Sequence, residues 1–215
     1  MRLHAICCLL LLVSTAGCNT LVWDSGNDAG TETITEQPPA SQTVLADGTS
    51  GPSISPDVDT ERVLPYANSL DRPFSLETES EYTAEDHPVT LSRDFIEYNI
   101  TNYHSRTFLR DRENETTPSY LLTAVTIHET GSAASTYAES QVTGNGTTEQ
   151  TTVGSNQRIQ VQVYEQSNDQ TVVRTTGTVG PIAAKVTGVG SATVDRNFVI
   201  DILAKLLFRV QSQVS

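Results

Sequence analysis

Residues 157–165 (QRIQVQVYE) alternate strictly, with Ile159, Val161 and Val163 on one side and Gln160, Gln162 and Tyr164 on the other. A period of two belongs to a strand, whose successive side chains point to opposite faces. Residues 170–177 and 179–187 continue as strands, and Ser167-Asn168-Asp169 reads as the hairpin turn between the first two of these three. Upstream, 119–129 (SYLLTAVTIHE) sets Leu121, Thr123, Val125 and Ile127 against Leu122, Ala124, Thr126 and His128. Residues 87–94 and 95–109 are β-branched and aromatic and predict two more strands; in the second, Ile96, Tyr98 and Ile100 alternate with Glu97 and Asn99. Residues 63–70 form a short entry segment, 110–118 a charged loop and 143–156 a polar turn region.

Two segments change period. Residues 133–142 place Ala134, Tyr137 and Ala138 at helical spacing behind a capping Thr130 or Ser132. The final element is stronger. Phe198, Ile202, Leu206 and Val210 recur every four residues, Val199, Leu203 and Leu207 widen the stripe, and Asp195 stands where a cap is needed. Asp201, Lys205 and Arg209 lie opposite, with Asp201 placed to pair with Lys205 one turn on. So broad a stripe predicts packing on a sheet. A helix lying on lipid would need a more cationic outer side. The expected fold is a two-layer α+β domain, a mostly antiparallel sheet covered on one face by helices, in the order β-β-β-α-β-β-β-α.

The N-terminus reads as an address. Arg2 precedes a nine-residue apolar run, residues 5–13 (AICCLLLLV), too short to span a bilayer. The segment Thr15-Ala16-Gly17-Cys18 resembles a prokaryotic lipobox, with Thr15 where Leu is usual. That resemblance implies cleavage after residue 17 and lipid on Cys18. The remaining cysteines, Cys7 and Cys8, fall in the leader, so the mature chain would have no intramolecular disulfide and no thiolate site. Residues 18–62 combine Gly, Pro and eight acids with Arg62 as the single base. Such a segment cannot bury enough surface to order itself, and it is expected to be an acidic tether. Trp23 is placed for the headgroup layer. The folded domain is expected over 63–215.

Charge then narrows the function. The chain carries 26 Asp+Glu against 13 Lys+Arg, a formal net charge of −13. No dense basic face stands out, so nucleic-acid binding through phosphates is not expected. Only Lys185 and Lys205 are lysines. An acid-rich, Lys-poor composition is similar to that of extreme halophiles and points to a haloarchaeal setting.

The order of elements after residue 119, with Ser132-Ala133-Ala134 opening a helix, a Val153-Gly154 turn, Val172-Val173-Arg174 in a meander and a terminal amphipathic helix, is similar to PsbP- or Mog1-like domains of prokaryotic lipoproteins. The likeness covers roughly residues 119–213 and rests on pattern, with no invariant motif. It implies an exported α+β domain, and it transfers no activity, because those families differ in function.

Candidate chemistry is sparse. His87, His104 and His128 lack metal-site spacing, no metal or cofactor is expected, and neither Gly-x-Ser-x-Gly nor Ser-x-x-Lys occurs. Arg106, Arg110 and Arg112 with Tyr103 form a local Arg/aromatic cluster able to hold an anionic or glycan ligand, although Asp111 and Glu113 stand ready to neutralise it. Of three Asn-x-Thr sequons, Asn114 and Asn145 fall in predicted loops and are candidates for glycosylation, while Asn99 falls in a predicted strand. The expected function is a non-enzymatic binding or structural module on the outer face of the cell membrane, held there by the lipid on Cys18. The alternative is a small surface hydrolase without a recognisable motif.

Overall fold

The computed structural model describes residues 57–110, 116–144, 146–154, 157–166, 169–191 and 193–214. Among them are strands β1 (Ser75–Thr83), β2 (Ile100–Leu109), β3 (Tyr120–His128), β4 (Thr147–Val153), β5 (Gln157–Glu165), β6 (Thr171–Val179) and β7 (Ile182–Gly190). The helices are α1 (Thr60–Val63), α2 (Val89–Glu97), α3 (Gly131–Ser140) and α4 (Arg196–Val214). The strands form one antiparallel sheet in the order β1-β2-β3-β7-β6-β5-β4. Helix α3 carries the chain from β3 to the far edge at β4, and a meander returns it until β7 pairs with β3.

The α+β class and the antiparallel sheet are as expected, but the order of elements differs. Residues 89–97 are helical. Pro88 stands at the N-cap of α2, where its lack of an N–H costs nothing. Leu91, Phe95 and Tyr98 share one side of α2 and its C-cap, and all three belong to the cluster beneath them, while Ile96 is 76% exposed. The apparent alternation of Ile96 with Tyr98 and Ile100 is thus a helix end running into a strand. Strand β1 and strand β4 were not predicted. Both are edge strands, largely exposed and polar (SLETESEYT and TTEQTTV), so they lack the apolar face that marks a strand. Glutamates along β1 suit an unpaired edge, since charge there discourages pairing with another chain.

A second correction concerns layers. Helices lie on both faces of the sheet. On one face α4 packs its stripe, Phe198 to Val210, onto Leu121, Val125, Ile159, Val161, Ala184 and Val186. On the other, Ala134, Tyr137 and Ala138 of α3 gather with Phe95, Ile100 and Ala183. The pleat makes both possible. Ala184 and Val186 point to α4, and Ala183 and Lys185 point to α3. Thr130 caps α3 by accepting from the Ala133 N–H at 3.1 Å, and Asp195 accepts from the Phe198 N–H at 3.2 Å at the start of α4. Lys205 pairs with Asp71 at 2.8 Å instead of Asp201, and Arg209 donates to the Val63 carbonyl at 3.0 Å.

The close approach of α4 depends on glycine. A Cβ on Gly177 would stand 2.8 Å from Leu207 Cδ1 and 3.1 Å from Ile159 Cγ2, and both side chains are buried. Gly177→Ala should therefore destabilise the domain by about 1–3 kcal/mol through overpacking, read as a lowered unfolding midpoint.

The packed part begins before residue 63. Asp59 caps α1, and Val58, Thr60, Val63 and Leu64 are buried, with Val58, Val63 and Leu64 in the cluster under α4. Residues 57–62 therefore belong with the domain. The rest of the expected tether, with Cys18 and Trp23, lies outside the described residues.

Candidate functional site

Polar side chains gather on each face of the sheet, and the pleat decides which join which. On the α4 face stand Glu79 of β1, with His104 and Arg106 of β2, in register as Glu79↔Arg106 and Glu81↔His104. His104 Nε2 donates to Glu79 Oε1 at 2.8 Å, and Arg106 Nε donates to the same oxygen at 2.7 Å. In the neutral ring His104 Nδ1 then accepts from Thr60 Oγ1, 3.0 Å away. Burial raises the Glu79 carboxyl, but the hydrogen bonds and charges of His104 and Arg106 together outweigh it, and its pKa is lowered.

Hydroxyl, imidazole and carboxylate in this sequence have the connectivity of a hydrolytic triad. Their surroundings are those of a fastening. Thr60 and His104 are buried. Arg106, 2% exposed, shares the carboxylate and points Nη1 at the carbonyls of Glu61, Leu64 and Pro65, 3.2–3.4 Å away, while Tyr66 covers its guanidinium. The network binds α1 and the turn after it to the sheet.

This placement divides the Arg/aromatic cluster seen in the sequence. Arg106 and Arg110 are on the α4 side. The Arg110 guanidinium lies 5.9 Å from the Phe74 ring, with Nε and Nη1 buried and unpaired. Tyr103, of opposite parity on β2, faces the α3 side and stacks on Tyr82. Arg112 lies outside the described residues, as do Asn114 and Asn145. Asn99 is not in a strand: it is exposed, with φ 47°, in the turn between α2 and β2.

On the α3 face the helical cover is incomplete. Helix α4, 19 residues and about 28 Å long, matches a nine-residue strand of about 30 Å. Helix α3 has 10 residues, about 15 Å. It begins beside Gly180 and reaches Thr176 and Lys185, where Thr176 Oγ1 donates to the Ala138 carbonyl and Lys185 Nζ to Gln141 Oε1 at 2.9 Å. Beyond that level Leu109, Tyr120, Leu122 and Val189 are half-buried on the α3 side, although Val172, Thr187 and Gln162 among them are buried, whereas Phe108, Leu121 and Val173 on the opposite side are fully buried.

Two cations lie at the border of this open stretch. Arg174 is opposite Thr187 and Lys185 opposite Thr176, which makes the two cations diagonal neighbours on one face. Arg174 donates from Nη1 to the Gln141 carbonyl at 2.8 Å and from Nη2 to Tyr164 Oη at 3.2 Å, and its buried Nε is unpaired. Neither cation has a carboxylate partner within ion-pair distance among the described residues, whereas Arg62, Arg72, Arg93, Arg106 and Lys205 each do. Burial, and then the charge of Arg174, push Lys185 down to about 8 against the pull of Asp94 on α2. Burial raises the Asp94 carboxyl, with Lys185 opposing, and burial raises the phenols of Tyr103 and Tyr137, which keeps them neutral. Sequence reading passed over Lys185 and Arg174. The available signal was a single charge inside each of two otherwise uncharged strands, IAAKVTGVG and TVVRTTGTV.

His128 donates from Nδ1 to the Tyr98 carbonyl at 2.8 Å, and burial lowers its pKa, so it is a neutral tie between β3 and α2. Among the described residues no three His, Cys, Asp or Glu side chains converge as a metal set, and no helix is long and apolar enough to cross a membrane.

No protein-family model matches the chain, and no curated protein matches it. Among solved structures, the fold is similar to that of the extracellular domain of PknH from Mycobacterium tuberculosis, with a TM-score of 0.53 and 10% identity over 73% of this chain and 98% of that one. At that identity the likeness is one of fold, an α+β architecture shared with a domain that works outside the cell.

Proposed function

We propose that the chain is an exported lipoprotein, held on the outer face of the membrane by lipid on Cys18, whose domain is a non-enzymatic binding module. The observation that carries the binding role is the unequal cover of the sheet. On one face α4 runs the length of the strands it covers; on the other α3 stops short, and Leu109, Tyr120, Leu122, Val189, Arg174 and Lys185 stay half-buried around the buried Val172, Thr187 and Gln162. Apolar and aromatic side chains with a few polar groups among them are the mixture that binds small ligands. The shared fold with an extracellular domain, the lipobox-like segment and the resemblance of residues 119–213 to PsbP- and Mog1-like domains agree with this reading. The Lys-poor acidic composition adds a halophilic setting.

A hydrolase is favoured by one observation, the Thr60–His104–Glu79 chain. Burial of Thr60 and the claim of Arg106 on the same carboxylate argue against it. If the network were catalytic, p-nitrophenyl acetate turnover by the full chain would be lost in Thr60→Val; the binding reading expects no turnover that depends on Thr60.

Mass spectrometry of the full chain from a lipidating host should find lipid on Cys18, and Cys18→Ser should leave the membrane fraction. Unmodified Cys18 in a membrane-bound chain would reject the anchor. In the Cys18→Ser full chain, small aromatic probes, neutral and anionic, should shift the amide resonances of Leu122, Thr187 and Val189. A probe set that leaves all three unmoved would reject the binding face.

A further inference from the structure

We infer that Lys185 and Arg174, bridged by Gln141 at the border of the open stretch of sheet, form a subsite for a small oxyanion, a carboxylate or phosphate, borne on an apolar or aromatic body. The inference rests on the binding face proposed above and names the chemistry that it selects.

The argument begins with cost. Two like charges placed as diagonal neighbours repel, and half-burial weakens the solvent screening that would relieve them. In a chain with twice as many acids as bases, a carboxylate partner would be easy to supply, and most basic residues on the surface have one. This pair has a neutral bridge instead. Gln141 accepts from Arg174 through its main-chain carbonyl and from Lys185 through its side-chain oxygen. The remaining donors are Lys185 N–H groups, the buried Arg174 Nε–H and the second hydrogens of its two Nη atoms. Among the described residues Asp94 is the acidic group that acts on Lys185, and it stays outside ion-pair distance, so the balance of described charges beside the pair is positive.

A simpler role exists for Arg174. The carbonyl end of α3 attracts cations, and Arg174 meets the last carbonyl. That accounts for one cation. Lys185 touches the Gln141 side chain and caps nothing. The surroundings supply the rest of the ligand's description. Leu122 and Val189 offer apolar surface, Tyr120 and Tyr164 offer rings, and Thr187 lies between the cations in the register. A guanidinium fork beside an ammonium suits a carboxylate or phosphate, and the neighbouring side chains suit an uncharged body.

The test uses the Cys18→Ser full chain, amide resonances of β3, β6 and β7, and three probes: benzoate, phenyl phosphate and benzyl alcohol. At low salt one or both anions should bind saturably, at least about tenfold tighter than benzyl alcohol, and whichever anion wins identifies the oxyanion. Lys185→Gln and Arg174→Gln should each remove at least about tenfold of that preference, while Lys205→Gln, on the far side of the sheet, should leave it intact. Anion affinity should also fall several-fold from about pH 7 to about pH 9, as Lys185 loses its proton. Unfolding midpoints are measured alongside. If Arg174→Gln unfolds, Lys185→Gln alone decides. Equal binding of benzyl alcohol and the anions at the face, unchanged in Lys185→Gln, would overturn the oxyanion subsite and leave the binding face standing. Absence of any shift with all three probes would overturn both.

Discussion

Arg106→Met should lower the stability of the domain by about 1–3 kcal/mol, the cost of leaving buried carbonyls unsatisfied, because the Glu79 side chain is 40% exposed and water can replace the guanidinium there. The Arg106 side chain is nearly inaccessible and has four hydrogen-bond partners, the Glu79 carboxylate and the carbonyls of Glu61, Leu64 and Pro65. Met fills a similar volume and satisfies none of them. Leu64 and Pro65 are buried, so their carbonyls would be left without water as a substitute. The loss should be visible as early proteolysis within residues 57–70, because the network holds α1 to the sheet. A variant with unchanged denaturant midpoint and an intact 57–70 segment would show that α1 is held by its apolar contacts alone. The same network gives a pH dependence. Glu79 has a folded pKa below its ordinary 4.5. The stability it contributes is complete above that value and is lost as pH falls through the folded pKa. Glu79→Gln should flatten the acid limb of the stability curve, and an acid limb identical to wild type would remove Glu79 from the account.

Leu203→Ala and Leu206→Ala should each cost about 2–5 kcal/mol, from lost transfer energy and the cavity left under α4. Leu203 is 0% exposed and Leu206 1%, whereas Phe208 on the outer side is 72% exposed. Phe208→Ala should move the midpoint little, and Lys205→Ala should cost under about 1 kcal/mol, since its pair with Asp71 is exposed at both ends. A helix that served as a lipid anchor would reverse the pattern. Its Leu→Ala changes would weaken vesicle binding and leave the midpoint unmoved. Chemical denaturation and vesicle sedimentation of the same four variants separate the two outcomes.

The elements legible in the sequence are those whose signal is local. Helix α4 has a seven-residue stripe and its own cap at Asp195, and β3, β5, β6 and β7 either alternate or carry a β-branched run, so nearest-neighbour pattern was enough for each. Helix α2 was legible in principle through Pro88 and the Leu91–Phe95 spacing, but its β-branched Val89 and Thr90 and exposed Ile96 imitate a strand. Strands β1 and β4 had no apolar face to read, because an edge strand owes its structure to backbone hydrogen bonds with one neighbour, and those leave no mark on side-chain pattern.

The candidate residues divide in the same way. Cys18 stands in a contiguous motif and needs no fold to be noticed. The Glu79–His104–Arg106 network joins positions 25 and 27 residues apart that touch only because β1 and β2 pair in one register. The Arg/aromatic cluster was contiguous in sequence, and the pleat sent Tyr103 and Arg106 to opposite faces. Lys185 and Arg174 became neighbours through the β6–β7 register, and the end of α3 set them at the border of uncovered sheet. Periodicity reports which side of an element is apolar. It carries no record of which face a crossover helix will cover, or how far along the strands that cover will extend. Those depend on strand order and helix length together, and here they separate a face that α4 covers along the strands from one that α3 covers only in part.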